Sequence, residues 1–229
     1  MKLRLLRKQQ EASDCYTYVF SNNNNLKWKP GQYLHYTLPH KLVDNRGDER
    51  WFTISSAPFE DEIHLTTRFD LEKGSTFKKE LFAMSPGDEI EIDLPEGDFV
   101  LPDKHENVVF IAGGIGITPF RSILAECNHK KSYLHVTLLY ASRDEDNVVF
   151  KEELESFRKE NPNMDISYFY GDNFITKEVI LDASRKYDNP LFYVSGPEPM
   201  VESFKNMFDE IGIGSDHSKF DYFPGYTVK

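Results

Sequence analysis

A glycine-rich segment stands between an apolar run and a helical pattern near the middle of the chain. Residues 113–119 read GGIGITP and directly follow the apolar run 108–112. Glycines let a backbone approach a ligand closely, and a helix start offers unpaired N–H groups and a positive dipole to a phosphate. The spacing matches neither the GxGxxG dinucleotide fingerprint nor a Walker loop. The segment predicts either an anion site or a tight strand–helix turn that binds nothing.

Arg50 lies in a second segment whose residue types could bind a ligand, RWFTISSAP at residues 50–58. It precedes an aromatic ring, Phe52, and a hydroxyl, Thr53, on a predicted strand. Because the rigid guanidinium fork suits phosphate oxygens, Arg50 is a candidate phosphate ligand and Phe52 a candidate contact for a flat ring. The alternative is an ion pair at the rim between Arg50 and a neighbouring acid, Asp48 or Glu49.

Three further segments add weaker signals. Residues 73–77, KGSTF, place a glycine before a predicted helix and form a second anion site or a simple helix cap. Residues 195–200, SGPEPM, follow an apolar strand and share an edge with the glycine-rich segment if the strands are parallel; the alternative is a structural turn. The tail 220–226 carries four aromatics in seven residues, which cover a planar ligand or fold back on the core.

Two halves of the chain differ in their hydrophobic rhythm. The first hundred residues alternate in short runs, such as 33–38, 63–66 and 89–94, with turn residues between them and one short helix at 75–82. Many short strands of this kind predict a small antiparallel β-barrel.

Apolar strands alternate with helical patterns after Pro102. Strands are predicted at 108–112, 135–140, 166–170 and 191–195, and a helix after the glycines takes Thr118 as N-cap and Pro119 as its first residue. This alternation predicts a parallel sheet with helices on both faces. The fold class is therefore a β-barrel plus an α/β unit, with domains at 1–102 and 103–229 and a cleft between them.

Composition excludes several classes of partner and site. The chain has 229 residues, with 27 Lys plus Arg and 38 Asp plus Glu, and a net charge of −11. This balance argues against nucleic acid and anionic membranes. A chain with only two cysteines cannot form a disulfide framework, a four-cysteine zinc site or a cysteine-ligated iron–sulfur cluster. The seven histidines show no HExxH spacing, so no metal is expected. We expect a cytoplasmic protein without membrane insertion, since no apolar run reaches about 20 residues and no signal peptide is visible.

The order of these segments resembles the ferredoxin–NADP reductase-like family of flavin-dependent NAD(P)H oxidoreductases over nearly the whole chain. In that family an Arg-x-Tyr-Ser/Thr strand binds the flavin and a Gly-x-Ser-type helix start holds its phosphates. A Gly-Gly-x-Gly-x-Thr-Pro loop receives the pyridine nucleotide, and a Cys-Gly-Pro-x-x-Met loop lies by the nicotinamide. All four occur here in that order, with Phe52 at the usual Tyr position and Ser195 at the usual Cys position.

The resemblance implies a flavin-binding barrel and an NAD(P)-binding α/β domain. Hydride would pass from NADH or NADPH to bound FAD, and electrons would pass on to a separate acceptor such as a ferredoxin, a flavodoxin or an oxygenase component. FAD is preferred to FMN because the helix start at 74–76 has room for a second phosphate. Two alternatives stay open: a reductase of free flavin, and a non-catalytic electron-transfer or nucleotide-sensing subunit.

The same resemblance assigns roles to individual residues. The flavin contacts it implies are Arg50, Phe52, Thr53, Thr66, Arg68, Gly74, Ser75 and Thr76. The residues expected on the nicotinamide side are Gly114, Thr118, Ser195, Gly196, Pro197 and Met200. Arg143 is a candidate for a 2′-phosphate, whereas Asp172 would repel that group and favours ribose hydroxyls, hence NADH. The catalytic candidates are Thr53, Ser195, Asp221 as a proton relay and Phe223 as a shield over the flavin ring.

Overall fold

Six antiparallel strands form the N-terminal part of the protein. The computed structural model describes residues 1–102, 107–132 and 134–223. The strands are β1 (Lys2–Ala12), β2 (Cys15–Ser21), β3 (Tyr33–Thr37), β4 (Glu49–Thr53), β5 (Glu62–Arg68) and β6 (Glu89–Ile92), in the sheet order β4-β3-β6-β1-β2-β5. A bridge between Ile54 and Leu65 joins the two edges, so the sheet closes into a barrel. Helix α1 (Thr76–Ala83) packs Phe77 and Leu81 into the barrel core.

A five-stranded parallel sheet follows. Its strands are β7 (Asn107–Gly113), β8 (His135–Ser142), β9 (Met164–Tyr170), β10 (Leu191–Pro197) and β11 (Ser218–Phe223), in the order β11-β10-β7-β8-β9. The helices are α2 (Thr118–His129), α3 (Lys151–Glu160), α4 (Lys177–Ser184) and α5 (Glu198–Ile211). Alternate residues of β7 face opposite layers: Phe110 packs with Phe120 of α2, and Ile111 packs in the cluster that holds Val201 of α5. The apolar run of this strand is explained by burial on both faces.

The predicted fold class is confirmed, and the predicted elements shift by a few residues at their ends. The predicted N-cap of the helix after the glycines is wrong. Gly114–Ile117 form a 3-10 turn that runs straight into α2, so Thr118 is already helical and its hydroxyl donates to the carbonyl of Ile115 (3.1 Å). The predicted domain boundary falls partly in 103–106, outside the described residues, and stays a prediction.

Polar contacts join the barrel to the α/β unit. Ser122 of α2 donates to the backbone carbonyl of Ser56 (2.6 Å), and the neighbouring Arg121 donates to the carbonyl of Ser55 (3.2 Å) and to the carboxylate of Glu60. These contacts fix α2, and the glycine turn before it, against the end of the barrel. Within the described residues, no helix combines the length and apolar character needed to cross a membrane.

Candidate functional site

A cavity of about 810 Å³ opens at the carboxyl edge of the parallel sheet. It lies where the chain order reverses on either side of β7, which is the usual ligand position in open α/β sheets. Its wall includes the glycine turn at Gly114, Pro197 at the end of β10, Met200 in the first turn of α5, and Arg68 at the end of barrel strand β5. The cavity is therefore bounded by both halves of the protein, as the sequence predicted for a cleft between them.

Close packing explains two of the glycines. A Cβ on Gly113 would lie 2.2 Å from the sulfur of Met200, and a Cβ on Gly116 would lie 2.1 Å from the carbonyl oxygen of Ser195. The turn after β7 therefore packs its Gly116 against the backbone of β10 at a distance that only glycine permits, whereas Gly113 at the end of β7 contacts the flexible side chain of Met200 in α5. The glycine-rich segment thus forms a tight strand–helix turn, which was the structural alternative to an anion site. The same turn also lines the cavity.

Positive charge lines the cavity in a protein of net charge −11. Of the described lining residues, three are cationic, namely Arg68, Arg143 and Lys177, and none is acidic. Asp14, in the turn between β1 and β2, lies 3.0 Å from Arg143 and 3.6 Å from Arg68. Because this acid holds both guanidinium groups at the rim, the cavity offers oriented positive charge to an anionic ligand.

Ser195 and Asp221 meet beside the cavity on adjacent strands. Ser195, which is fully buried, pairs in register with Asp221, and its hydroxyl donates to the Asp221 carboxylate at 3.4 Å. Burial raises the pKa of Asp221 to about 6; the Ser195 hydrogen bond works against this rise and the charge of Asp98 adds to it. The carboxyl is therefore able to hold or release a proton near neutral pH.

Tyr33 of the barrel is paired across the sheet with Thr53 of β4. Burial raises the pKa of the Tyr33 hydroxyl, and the negative charges of Glu96 and Asp221 raise it further. Thr53 therefore lies in the barrel, whereas Ser195 and Asp221 lie on adjacent strands of the parallel sheet, and the shared role of the three residues stays a prediction.

Arg50 and Phe52 project together toward helix α1. The Arg50 guanidinium lies over the ring of Phe77 at 5.4 Å, and the Phe52 ring is 6.0 Å from that same ring. Arg50 donates through Nη1 to the backbone carbonyls of Arg46 (2.7 Å) and Gly47 (3.3 Å), rather than to the carboxylates considered as the alternative. Its Nη2 is buried and has no hydrogen-bond partner among the described residues. A buried, unpaired guanidinium nitrogen is suited to an anionic ligand oxygen.

The N-terminus of α1 already binds a carboxylate of the chain itself, that of Asp44. Ser75 caps the helix as predicted, accepting from the amide of Lys78 at 3.2 Å. The Thr76 amide donates to the carboxylate of Asp44 (2.9 Å), and the Asp44 amide donates back to the Thr76 hydroxyl (3.0 Å). Arg46 binds the same carboxylate at 2.7 Å. The predicted phosphate site at 74–76 thus carries a side chain from the loop between β3 and β4.

Several predicted residues have other surroundings. Thr66 is buried in a chain of hydroxyl groups, 2.8 Å from Thr17 and 2.7 Å from Ser55, so its side chain stabilises the barrel. Asp172 is exposed and lies between two residues of the cavity wall, Gly171 and Asn173. Gly74 follows a turn before α1, with its amide donating to the carbonyl of Asp70 (2.9 Å), and Gly196 packs against Gly113. The backbone of Phe223 ends β11, but its side chain and the tail from 224 lie outside the described part of the chain.

Asp14, Asp44 and Arg121 are important residues that the sequence did not reveal. Each acts through a partner distant in the chain: Asp14 with Arg143, Asp44 with Thr76, and Arg121 with Glu60. An acid in a strand-connecting loop is common, and no spacing rule marks these three. The packing of the barrel against the α/β unit brings Asp14 to Arg143 and Arg121 to Glu60, whereas the folding of the N-terminal half alone brings Asp44 to Thr76.

Comparisons with known proteins agree with this arrangement. Residues 110–206 match the oxidoreductase NAD-binding domain family. A flavohemoprotein of Pseudomonas putida is 21% identical over 97% of this chain and 58% of its own length. NADH-cytochrome b5 reductase 1 of Cryptococcus neoformans is 29% identical over 64% of this chain and 56% of its own. The chain thus spans only a little over half the length of these two curated relatives.

Solved structures share the fold over nearly the whole chain. A cytochrome P450 reductase from Amycolatopsis superposes with a TM-score of 0.82 at 20% identity, covering 97% of this chain and 70% of that one. A ferredoxin-NADP+ reductase from Plasmodium falciparum, solved with 2′P-AMP, superposes with a TM-score of 0.81 at 20% identity, covering 97% and 95%. At this level of identity the likeness establishes the fold, and the geometry of the site has to carry the chemistry.

Proposed function

We propose that the chain is a flavoprotein oxidoreductase of the ferredoxin–NADP reductase-like family, passing hydride from NAD(P)H to bound FAD and electrons on to a separate redox partner. The observation that carries the proposal is the cationic cavity at the carboxyl edge of the parallel sheet, which the barrel closes with Arg68. A nucleotide on the sheet would there face a flavin on the barrel.

The cavity has the size and charge for a pyridine nucleotide. Its volume of about 810 Å³ lies within the range of small-molecule sites, and its cations match the charge of a diphosphate. The Tyr140 hydroxyl donates to the carbonyl of Gly114 (2.9 Å) and so fixes the glycine turn. Gly114, Pro197 and Met200 form the wall where a nicotinamide ring would lie beside Ser195.

The barrel offers donors for the phosphates of FAD. Arg50 directs a buried, unpaired nitrogen beside α1, and the α1 start supplies backbone amides at 75–76. Phe52 supplies an aromatic surface without the phenol of the usual tyrosine. FAD, when bound, accepts the hydride and passes electrons on singly or in pairs. The chain's own part is to bind, orient and exclude water.

Asp221 is the proposed proton carrier of the site. With a pKa of about 6, its carboxyl exchanges a proton near neutral pH, and Ser195 holds it in place. Thr53 of the barrel is the residue proposed to hydrogen-bond the flavin ring. Phe223 is proposed as a shield over that ring, since β11 ends at this residue, which is paired with Pro197 at the end of β10.

The acceptor and compartment complete the proposal. Relatives include a cytochrome P450 reductase and a ferredoxin-NADP+ reductase, so a ferredoxin, flavodoxin or oxygenase component is the proposed class of acceptor. We propose the cytoplasm as compartment, because both cysteines, Cys15 and Cys127, are unpaired as is usual in a reducing environment.

Anaerobic titration tests the function. The purified protein is loaded with FAD, passed through gel filtration and titrated with NADH and with NADPH while the visible absorbance of the flavin is recorded. We expect the protein to stay yellow and to bleach on addition of nucleotide. Loss of flavin during filtration would favour a reductase of free flavin, and a yellow protein that does not bleach would favour a non-catalytic subunit. Failure to take up FAD or FMN would overturn the proposal.

A further inference from the structure

We propose that Asp44 is an internal anion that the phosphate of a flavin must displace from the start of α1, and that this exchange sets the flavin affinity of the chain. The inference rests on the proposed function, because it takes the α1 start as the phosphate site. It adds a residue that determines affinity and a movement of the loop 39–48 between β3 and β4.

Asp44 occupies the position that an anionic ligand would take. Its carboxylate accepts from the Thr76 amide at 2.9 Å, in the first turn of the helix where the dipole favours negative charge. The Arg46 hydrogen bond, together with the amides of Thr76 and Arg46, holds the pKa of this carboxyl well below its usual range. Asp44 therefore carries a full negative charge at neutral pH, and a phosphate oxygen cannot share the same amide with it.

Displacement of Asp44 would free two phosphate donors that lie outside its loop. The Thr76 amide of α1 would lose the Asp44 carboxylate that it now binds. Arg50, on β4, has one nitrogen bonded to the Arg46 carbonyl and another that is buried and unpaired. Arg46, which now binds the Asp44 carboxylate through Nε (3.2 Å) and Nη2 (2.7 Å), belongs to the displaced segment. The Thr76 amide and Arg50 would then bind the incoming anion, which replaces the charge that the carboxylate supplied.

The loop that carries Asp44 is lightly held elsewhere. Leu42 is 83% exposed and Val43 is 45% exposed, so neither anchors the loop by burial. Its base is fixed by the hydrogen bond from the Leu38 amide to the carbonyl of Asp48 (2.9 Å). Arg50 also binds the carbonyls of Arg46 and Gly47, so the contacts of Asp44 with α1 hold the part of the loop before Arg46, and breaking them frees that part while the base stays in place.

Flavin binding to matched variants tests this inference. Dissociation constants for FAD and for riboflavin, which has no phosphate, are measured by fluorescence quenching for the wild type, Asp44→Asn and Asp48→Asn. The Asp48 variant loses the same charge in the same loop without touching Thr76. We expect Asp44→Asn to bind FAD about tenfold more tightly than the wild type, since a hydrogen bond to a charged group has roughly that effect. We expect riboflavin binding to be unchanged and Asp48→Asn to stay within about twofold for both ligands.

Hydrogen exchange of the wild type gives a second measurement that needs no variant. On saturation with FAD, amides of 41–46 are expected to exchange faster, because their contacts with α1 are broken, while amides of the α1 start exchange more slowly. Slower or unchanged exchange in 41–46 overturns the inference, as does an Asp44→Asn variant that binds FAD no better than the wild type. If neither the wild type nor the variants bind any flavin, the proposed function fails, and the displacement of Asp44 fails with it. Normal FAD binding without an effect of Asp44→Asn is a different result, which overturns only the role of Asp44.

Discussion

The hydroxyl of Ser195 lies 3.4 Å from the carboxylate of Asp221, on two parallel strands whose register pairs these residues directly. Neither side chain is near the other in sequence, yet the order β11-β10-β7 brings both to the carboxyl edge of the sheet beside the cavity. The pair places a half-buried titratable group where the proposed site needs a proton. Its ionisation also affects the stability of the fold.

Replacement of Asp221 by Asn is expected to change how stability depends on pH. An unfolded aspartate titrates near pH 4, whereas burial raises the pKa of Asp221 to about 6 in the folded protein. The folded state therefore binds the proton more tightly, so Asp221 favours folding below about pH 4 and this contribution is lost as the pH rises through about 6. Relative to the wild type, Asp221→Asn should gain about 2 kcal/mol in free energy of unfolding between pH 4 and pH 7.5.

Urea denaturation at the two pH values measures this difference. Asp182→Asn is the matched control, because this acid is exposed and pairs only with the nearby Arg185 among the described residues. Its difference from the wild type should change by less than about 0.5 kcal/mol with pH. An Asp221→Asn variant whose difference from the wild type stays constant across the pH range would contradict a raised pKa.

Arg121 is expected to be a major contributor to stability. It is buried between the barrel and α3, where it binds the carboxylates of Glu60 and Glu153. Burial works to raise the pKa of Glu60, but the hydrogen bond and charge of Arg121 outweigh it and hold that pKa below its usual value. Arg121→Met leaves both carboxylates without their partner and should cost about 3–5 kcal/mol, as breaking a buried ion pair does.

Thermal and urea unfolding test the Arg121 contribution. Arg158→Met removes an arginine from an exposed pair with Glu155 and should cost less than about 1 kcal/mol. The double variant Arg121→Met with Glu60→Gln should regain part of the loss, because one of the two uncompensated charges is removed. Equal effects of the Arg121 and Arg158 replacements would show that the buried cluster has no special role.

A feature of the fold or of the candidate site could be predicted from the sequence when the residues that determine it are neighbours in the chain. The apolar run of β7, the alternation in the barrel strands and the cap at Ser75 are carried by neighbouring residues, and the structure contains all three. The rule that parallel strands end at one edge also placed Ser195 near the glycine turn. By contrast, Asp44 and Thr76 are separated by 32 residues, and Asp14 and Arg143 by 129. The prediction of Thr118 as an N-cap was wrong for a local reason, because a 3-10 turn before α2 makes this residue helical.

NADH is expected to be the preferred donor. The cations that could bind a 2′-phosphate already have acidic partners: Arg143 binds Asp14, and Lys177 binds Glu210. Asp172, exposed after β9 between two residues of the cavity wall, would repel that phosphate and accept hydrogen bonds from ribose hydroxyls. Isothermal titration should give a dissociation constant for NADH at least about tenfold below that for NADPH.

An Asp172→Ser variant checks the reason for this preference. Loss of the charge should tighten NADPH binding and leave NADH binding nearly unchanged, so the ratio of the two constants falls. Asp165→Ser, which removes an exposed acid paired with Lys186 earlier on the same strand, should leave the ratio as in the wild type. Tighter binding of NADPH than of NADH by the wild type would refute the assignment.

Arg50→Ala is expected to weaken flavin retention far more than folding. The side chain donates to backbone carbonyls of a surface loop and packs on Phe77, so its loss should cost about 1 kcal/mol of stability. Its buried, unpaired Nη2 is the donor proposed for a flavin phosphate, and losing a charged hydrogen bond of that kind should raise the FAD dissociation constant about 10- to 100-fold.

Riboflavin, without phosphate, should bind the variant almost as it binds the wild type. Arg4→Ala removes the same side chain from an exposed position on β1, where it pairs with Glu89 of β6, and should keep its full flavin content. A purified Arg50→Ala protein with wild-type FAD content would remove Arg50 from the proposed site, whereas equal losses for FAD and riboflavin would indicate a packing role beside Phe52.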